Sequence, residues 1–241
     1  MAAADPLRLP ASVRQHVFGN AAQTAHALAA AVGADLNEGL QQRSRASLIV
    51  SGGQTPALFQ DALSSQALDW SRVSVSLADE RWVPADHADS NERLVRRHLL
   101  RGAARAAHFI ALVDLAAAPG QHLATMERAL SAMAQPFDAV VLGMGEDGHT
   151  ASLFPGAPGT AAALDARRPE RIAFVTPVNA PHRRISLTLR ALLDARAVRV
   201  LIQGQGKRAA IERAAQSEPA THPIAALLHN DKVPVHVYYN P

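Results

Sequence analysis

The chain has 241 residues, of which 48% are hydrophobic, and its 24 basic and 21 acidic side chains give a net charge of +3. This length is enough to bury a substantial core, and we predict one domain over residues 1–241. The absence of cysteine excludes disulfides, thiolate metal sites and cysteine nucleophiles. Arginines are scattered rather than clustered, so a small phosphorylated substrate fits the charge balance better than nucleic acid does.

The same composition bears on location. The first residues lack a basic region followed by an apolar segment, so they do not resemble a secretory signal. No apolar run reaches the roughly 18 residues that a membrane-spanning helix needs. We therefore expect a cytoplasmic protein without membrane contact, either a monomer or a weak homo-oligomer.

Short apolar runs alternate with helical patterns along the chain. The first pattern predicts a long helix from Ala11 to about Gly33, followed by a polar connector. Strands are predicted at Ala46–Val50, Val73–Leu77, His108–Leu112, Phe137–Leu142, Arg171–Thr176, Val198–Ile202 and Val233–Tyr239. Helices are predicted from about Asn91, from Gly120 to Ala134, near Leu189, after Gly204 and at Ile224–His229. This alternation indicates an α/β fold with a doubly wound, mostly parallel sheet and helices on both faces, Rossmann-like in kind.

Glycine-rich turns follow two of the predicted strands. After the first strand comes SGGQTP, in which Gly52 and Gly53 permit backbone conformations that other residues avoid. Thr55 is placed to cap the next helix, and free N–H groups at such a helix start bind anions. QGQGK stands at a later strand-to-helix junction and carries Lys207, one of only two lysines in the chain. Both turns predict contacts with a phosphate.

The stretch with the most chemistry is Phe137 to Gly156, FDAVVLGMGEDGHTASLFPG. A buried strand there breaks into three glycines, two carboxylates and His149. Ligands of open α/β sheets bind outside the carboxyl ends of the strands, where such loops converge. A plain tight turn with an incidental histidine is the alternative, and the packing of glycines and carboxylates around the histidine favours a functional site.

Several segments together resemble the 6-phosphogluconolactonase family: SGGQTP, DERWVPADHADSN, LGMGEDGHTASLFPG, RRISLTL and GQGK. Within this pattern Gln54 stands where the family more often has a serine, and Ser186 where a threonine is commoner. The resemblance implies hydrolysis of 6-phospho-D-glucono-1,5-lactone to 6-phospho-D-gluconate, the second step of the oxidative pentose phosphate pathway. It also implies a fold shared with glucosamine-6-phosphate deaminases, ribose-5-phosphate isomerases and coenzyme A transferases, without a cofactor or a metal.

Residue roles follow from the resemblance and from the chemistry of lactone opening. His149 is expected to act as general base toward water and then as general acid, because imidazole titrates near neutral pH. Asp147 is expected to orient the ring, and the oxyanion would be met by Arg184 or by backbone N–H groups of the glycine loop. Substrate binding is assigned to Gly52, Gly53, Thr55, Asp79, Arg81, Asn91, Gly143, Gly145, Gly148 and Lys207.

Two other functions remain open on the sequence. An isomerase and deaminase of glucosamine 6-phosphate would share the fold and the GxGxDGH core, although TASLFPG after the histidine differs from that group. A non-catalytic sugar-phosphate sensor is the rival of another class. The other ten histidines show no shared spacing, so each is predicted to be structural or solvated.

Overall fold

The computed structural model describes residues 5–53 and 55–241, so the departure from the family pattern at Gln54 lies outside the described residues. A seven-stranded sheet of parallel pairs forms the centre, in the order β1-β10-β9-β6-β2-β3-β5. Its strands are β1 (Arg14–Val17), β2 (Ala46–Val50), β3 (Val73–Leu77), β5 (His108–Ile110), β6 (Ala139–Leu142), β9 (Val198–Gln203) and β10 (Val235–Asn240). The predicted mostly parallel α/β fold is confirmed.

The order of the strands identifies a topological switch point. From β2 the chain builds outward through β3 to β5, and it then returns to the other side of β2 to lay down β6, β9 and β10. The switch therefore lies between β2 and β6. In open α/β sheets this crevice, at the carboxyl ends of the strands, is where ligands bind.

The helices connect the strands of this sheet. They are α1 (Ala21–Arg43), α2 (Ala57–Ser64), α3 (Asn91–His98), α4 (Pro119–Ala132), α5 (Thr160–Leu164), α6 (Leu189–Leu192), α7 (Gly204–Ala214) and α8 (Ala225–Leu228). Ser90 caps α3 as predicted, because its side chain accepts a hydrogen bond from the backbone N–H of Arg93. None of the helices in the described part of the chain is long and apolar enough to cross a membrane.

Three further strands form a separate antiparallel sheet in the order β4-β8-β7, with β4 at Asp79–Arg81, β7 at Ile172–Val175 and β8 at Arg184–Leu187. In its register Asp79 pairs with Ser186, and Arg81 pairs with Arg184. Two distant arginines thus become cross-strand neighbours beside the switch point. The sequence prediction of one sheet did not include this second sheet.

The bounds predicted for the N-terminal helix, Ala11 to about Gly33, were wrong. Its first part forms β1, and the helix itself, α1, begins after the N-cap Asn20 and continues past Gly33 through the predicted connector to Arg43. β1 pairs in parallel with β10, the last strand of the chain. A four-residue edge strand has no local signature apart from its partner, and that partner lies at the opposite end of the sequence.

The core is aliphatic, as the scarcity of aromatic residues (4%) predicts. Every residue of β2 and β6 is buried, and α1 covers the sheet with a fully buried stripe that includes Leu28, Val32 and Leu36. Burying one such leucine or valine side chain stabilises the fold by about 1.5–3 kcal/mol. The rigid sheet holds the loops at its carboxyl edge in fixed positions.

Candidate active site

A cleft of about 250 Å³ opens at the switch point. The turns after β2, β6 and β9 form its walls together with β4 and β8. Eleven of the predicted site residues line it: Gly52, Gly53, Thr55, Asp79, Arg81, Asn91, Gly143, Gly145, His149, Arg184 and Lys207. The loops that the sequence singled out therefore converge on one volume, whereas the remaining two predicted residues, Asp147 and Gly148, do not line it.

The imidazole of His149 is held by Asp147. Their Nδ1 and Oδ1 atoms are 2.6 Å apart, and the same Oδ1 accepts the backbone N–H of His149 at 3.2 Å. The hydrogen bond from the histidine, opposed by partial burial, lowers the pKa of Asp147. An ionised carboxylate favours the tautomer with the proton on Nδ1, which leaves the Nε2 lone pair available on the opposite side of the ring.

The glycine loop is closed by its own backbone. The Gly145 N–H donates to the His149 carbonyl at 2.8 Å, and the Gly148 N–H donates to the Gly145 carbonyl at 3.1 Å. These two amides are therefore occupied within the loop, and they are not free to meet an oxyanion. The sequence left two candidates for the group that meets the oxyanion, Arg184 and the backbone N–H groups of this loop. Because these two amides are occupied, Arg184 is a better candidate than they are.

Two glycines of this loop are required by space or by conformation. A Cβ on Gly145 would overlap the His149 imidazole and the Asp147 carboxylate. Gly148 has φ of +79°, in the left-handed region, and a Cβ there would come within 2.6 Å of the His222 ring. Gly145 therefore leaves room for the Asp147–His149 pair, and Gly148 leaves room for His222.

Phe154 packs against the catalytic candidate. Its ring centroid lies 4.3 Å from that of His149, and the guanidinium carbon of Arg184 lies 6.0 Å from the same phenyl ring. The chain reaches this position through Ala151, which has φ of +48°. An aromatic ring on one face limits the rotation of the imidazole. Sequence reasoning missed Phe154, although it belongs to the LFPG segment that carried the resemblance.

Arg184 is the most buried cation of the cleft, with 5% of its surface exposed. Its Nε and Nη1 atoms are buried without a hydrogen-bond partner among the described residues. Burial, and then the nearby charge of Arg81, lower the pKa of Arg184, yet a guanidinium stays protonated in proteins. A buried guanidinium with unpaired donors on a cleft wall is suited to an anion.

Asp79 is held from two sides. Its Oδ2 accepts the Ser152 hydroxyl at 2.5 Å, and its carbonyl accepts the Asn91 side-chain N–H at 2.9 Å. Asn91 in turn presses against Gly52, where any Cβ would overlap the Asn91 amide. The buried Oδ1 of Asn91 has no hydrogen-bond partner in the described part of the chain. Asp79 and Asn91 thus shape the cleft, and Asn91 keeps an acceptor for a ligand.

Glu80, which precedes Arg81 in the acidic motif, has a structural role. Its carboxylate accepts the backbone N–H groups of Arg81, Asn91 and Glu92 at 2.7–2.8 Å and the hydroxyl of Ser90 at 3.0 Å. Burial raises its pKa, and these hydrogen bonds oppose that change. The carboxylate anchors β4 to the start of α3, so it fixes the position of Arg81.

The two phosphate-loop predictions differ in outcome. Thr55 does not cap α2, because Pro56 is the N-cap and no side-chain cap bond is formed within the described residues. Thr55 is exposed at the cleft instead. Lys207 lies in the first turn of α7, which begins at Gly204 with φ of +85°. The amides of that first turn and the Lys207 ammonium group offer the cleft a second positive wall.

Residues that sequence reasoning missed complete the lining of the cleft. Most are apolar or small, and they lie next to predicted residues in the chain. They are Ser51, Pro56, Met144, Ala151, Ser152, Phe154, Leu201, Ile202 and Gln203.

A doubly wound α/β fold with a cationic cleft at its switch point, and a carboxylate-held histidine in the wall, defines a protein that acts on a small anionic substrate. The model of the family described as glucosamine-6-phosphate isomerases/6-phosphogluconolactonase matches residues 19–236. The chain belongs to this family.

Known proteins are similar to this chain over almost its whole length. It is 46% identical to the 6-phosphogluconolactonase of Pseudomonas aeruginosa over 98% of both chains. It is 44% identical to that of Neisseria meningitidis, over 93% of this chain and 97% of the relative. The crystal structure of a 6-phosphogluconolactonase from Shewanella baltica superposes with a TM-score of 0.92 at 37% identity, covering 97% of this chain and 100% of the other. The predicted family and enzyme class are confirmed.

Proposed function

We propose that this chain hydrolyses 6-phospho-D-glucono-1,5-lactone to 6-phospho-D-gluconate, with His149 as the proton carrier. The observation that supports this most is the Asp147–His149 pair, 2.6 Å apart, with His149 on a cleft that is also lined by Arg184, a buried arginine whose Nε and Nη1 have no partner among the described residues. An ester carbonyl needs both an activated water and a cation for the charge that develops on its oxygen. The cleft offers His149 as the base for the water and Arg184 as the cation for the oxygen.

The reaction begins with water. Nε2 of His149 takes a proton from a water molecule while the water oxygen bonds to the lactone carbonyl carbon. The carbonyl π electrons move onto oxygen, and a tetrahedral oxyanion forms. When this intermediate collapses, the bond from the carbonyl carbon to the ring oxygen breaks, and the proton on Nε2 passes to that oxygen. Asp147 keeps Nδ1 protonated throughout and stabilises the imidazolium between the two steps.

Arg184 is the group that we assign to the oxyanion. The N–H groups of Gly145 and Gly148 are bound within the loop, whereas Nε and Nη1 of Arg184 are buried and have no partner in the part of the chain that the structure describes. Donors that are fixed before the reaction stabilise developing charge without having to reorganise, and one such donor contributes about 2.7–4 kcal/mol to transition-state binding.

The phosphate is assigned to the part of the cleft that carries Gly52, Gly53, Thr55, Arg81 and Lys207. Backbone amides, a hydroxyl and two cations are the groups that bind phosphate. Anchoring the substrate at its phosphate places the lactone carbon beside His149. Binding energy from the phosphate, which is far from the reacting bond, is thereby used to hold that bond in position for the reaction.

One pair of assays tests the proposal. The purified chain is mixed with freshly prepared 6-phosphogluconolactone, and acid release is followed against spontaneous hydrolysis. In parallel, ammonia release from glucosamine 6-phosphate is measured. We expect fast lactone opening and no ammonia. Ammonia release without lactone opening would identify a deaminase, and binding of 6-phosphogluconate without either reaction would identify a sensor.

A further inference from the structure

Three side chains outside the cleft bring two imidazoles and a carboxylate together. The ligand atoms of His87, Asp89 and His182 all lie within 4.8 Å of one another. The Asp89 Oδ2 atom is 3.0 Å from Nε2 of His182 and 3.9 Å from Nδ1 of His87. We call this set the His-Asp-His cluster. His182 is 93 residues from Asp89 in the chain, so no local spacing indicates the cluster.

The distances fit a small ion. Ligand atoms about 2.0–2.2 Å from a tetrahedral zinc ion lie roughly 3.4 Å from each other. The two distances to Asp89 Oδ2 fall on either side of that value, so rotations of exposed side chains are enough to close the geometry. The exposed fractions of the side chains are 39% for His87, 51% for Asp89 and 28% for His182. An ion can therefore reach the cluster from solvent.

The chemistry of the donors selects the ion. Two imidazole nitrogens and one carboxylate are a donor set for zinc, and for other divalent transition metals, whereas magnesium and calcium prefer oxygen ligands. The Asp89 backbone N–H donates to Nδ1 of His87 at 3.1 Å, so this nitrogen is unprotonated, and an ion would take its lone pair in place of that hydrogen bond. The two rings meet edge to face with centroids 5.3 Å apart.

We propose that His87, Asp89 and His182 bind one divalent transition-metal ion of the zinc type. This site is separate from the Asp147–His149 pair, and it departs from the sequence expectation that these histidines are merely structural or solvated. The backbone of His182 also favours this site, because His182 has φ of +67°, in the left-handed region. A non-glycine residue in that region is uncommon, and here it presents the ring to Asp89.

The position of the cluster indicates what the ion would do. His87 and Asp89 belong to the segment between β4 and α3, and His182 belongs to the segment before β8. Both segments flank cleft arginines, and the Arg81 guanidinium donates to the Asp89 carbonyl. An ion would cross-link the two segments beside Arg81 and Arg184. The charge of Arg81 acts on this cluster, and the Asp89 carboxylate offsets its repulsion of the ion.

The test uses the full chain, stripped of metal with a chelator and titrated with zinc chloride by calorimetry. We expect one ion per chain and a higher melting temperature with zinc, because an ion that binds only the folded state stabilises it. Cobalt(II) in place of zinc should give the visible absorption of a bound ion. Magnesium chloride serves as the control and should not bind.

Variants locate the ion. His182→Gln and His87→Gln, on different segments, should each weaken zinc binding by about tenfold or more and abolish the rise in melting temperature. His26→Gln, an exposed histidine on α1, should bind zinc like the parent, and so should His149→Gln. Circular dichroism checks that each variant is folded. The proposal is overturned if the parent binds no zinc, if both cluster variants bind it as tightly as the parent, or if only His149→Gln loses it.

Discussion

Ser152 donates its hydroxyl to the Asp79 carboxylate, with Oγ 2.5 Å from Oδ2, and both residues are buried. This hydrogen bond ties the loop that carries His149 to the first residue of β4, two positions before Arg81. The wall of the cleft that carries His149 and the wall that carries Arg81 are therefore joined through this contact. Asp79, which the sequence assigned to the substrate, also has this structural role.

Ser152→Ala should destabilise the protein by about 1–3 kcal/mol, because it leaves a buried carboxylate oxygen without its donor. Urea unfolding followed by circular dichroism measures this change. Ser65→Ala is the matched control, since Ser65 is exposed and its hydroxyl makes only a 3.4 Å contact to a helix carbonyl. Equal unfolding midpoints for the two variants would contradict a structural role for the Ser152–Asp79 bond.

His149→Gln should lower kcat for lactone hydrolysis by about a hundredfold or more, the usual contribution of a general base, and leave the chain folded. The rate is measured after the spontaneous reaction has been subtracted. His26→Gln, on the exposed side of α1, should keep the parental rate. A His149→Gln variant with near-parental kcat would remove His149 from the mechanism.

Lys207→Ala and Arg81→Ala should mainly raise KM for the phosphorylated lactone. Each removes a charged hydrogen bond that contributes about 1.5–3 kcal/mol, so KM should rise by about tenfold or more. Lys232→Ala is the control, because Lys232 is the other lysine of the chain and it is exposed. If both cleft variants bind 6-phosphogluconate as tightly as the parent, the phosphate lies elsewhere.

Gly145→Ala should lower kcat about as much as the loss of the histidine does, because the new methyl group occupies the space of the His149 ring and the Asp147 carboxylate. Steady-state kinetics and a thermal melt separate lost activity from unfolding. Gly120→Ala is the matched control, since a Cβ there meets no described atom within 4 Å. It lies in α4, where alanine stabilises a helix by up to about 1 kcal/mol relative to glycine. Parental activity in Gly145→Ala would show that the loop tolerates a side chain.

The free energy of unfolding should fall as the pH is lowered from about 6.5 to about 4. His236, 3.0 Å from His16, has its pKa lowered from 6.5 to about 4, first by burial and then by the charge of Arg199. Between these values the unfolded chain binds the proton and the folded chain does not, so acid favours unfolding.

Urea unfolding at a series of pH values measures this dependence. His236→Gln should flatten the fall over that window, whereas His26→Gln should leave it unchanged. A variant with the same pH dependence as the parent would show that another group is responsible.

Much of the fold follows from local patterns. The segments 46–50 and 73–77 became strands with the predicted bounds. The first is mostly apolar, as in a strand buried on both faces, and the second alternates apolar residues with serine, which is also a strand pattern. The cap at Ser90 and the glycine turns followed from side-chain and backbone chemistry within a few residues. β1 did not, because an edge strand of four residues is stabilised by β10, which lies at the other end of the chain.

For the site, the sequence by itself determined which loops carry the chemistry, and that Asp147 stands two residues from His149. Only the tertiary structure decided that Arg81 and Arg184 become cross-strand neighbours, that Phe154 packs on the imidazole, and that Ser152 binds Asp79. It also brought His182 to Asp89. The physical reason is the distance along the chain over which the interactions act. Turns, caps and strand patterns depend on neighbouring residues. Contacts between loops depend on strand order and register, which are settled only when the whole sheet is assembled.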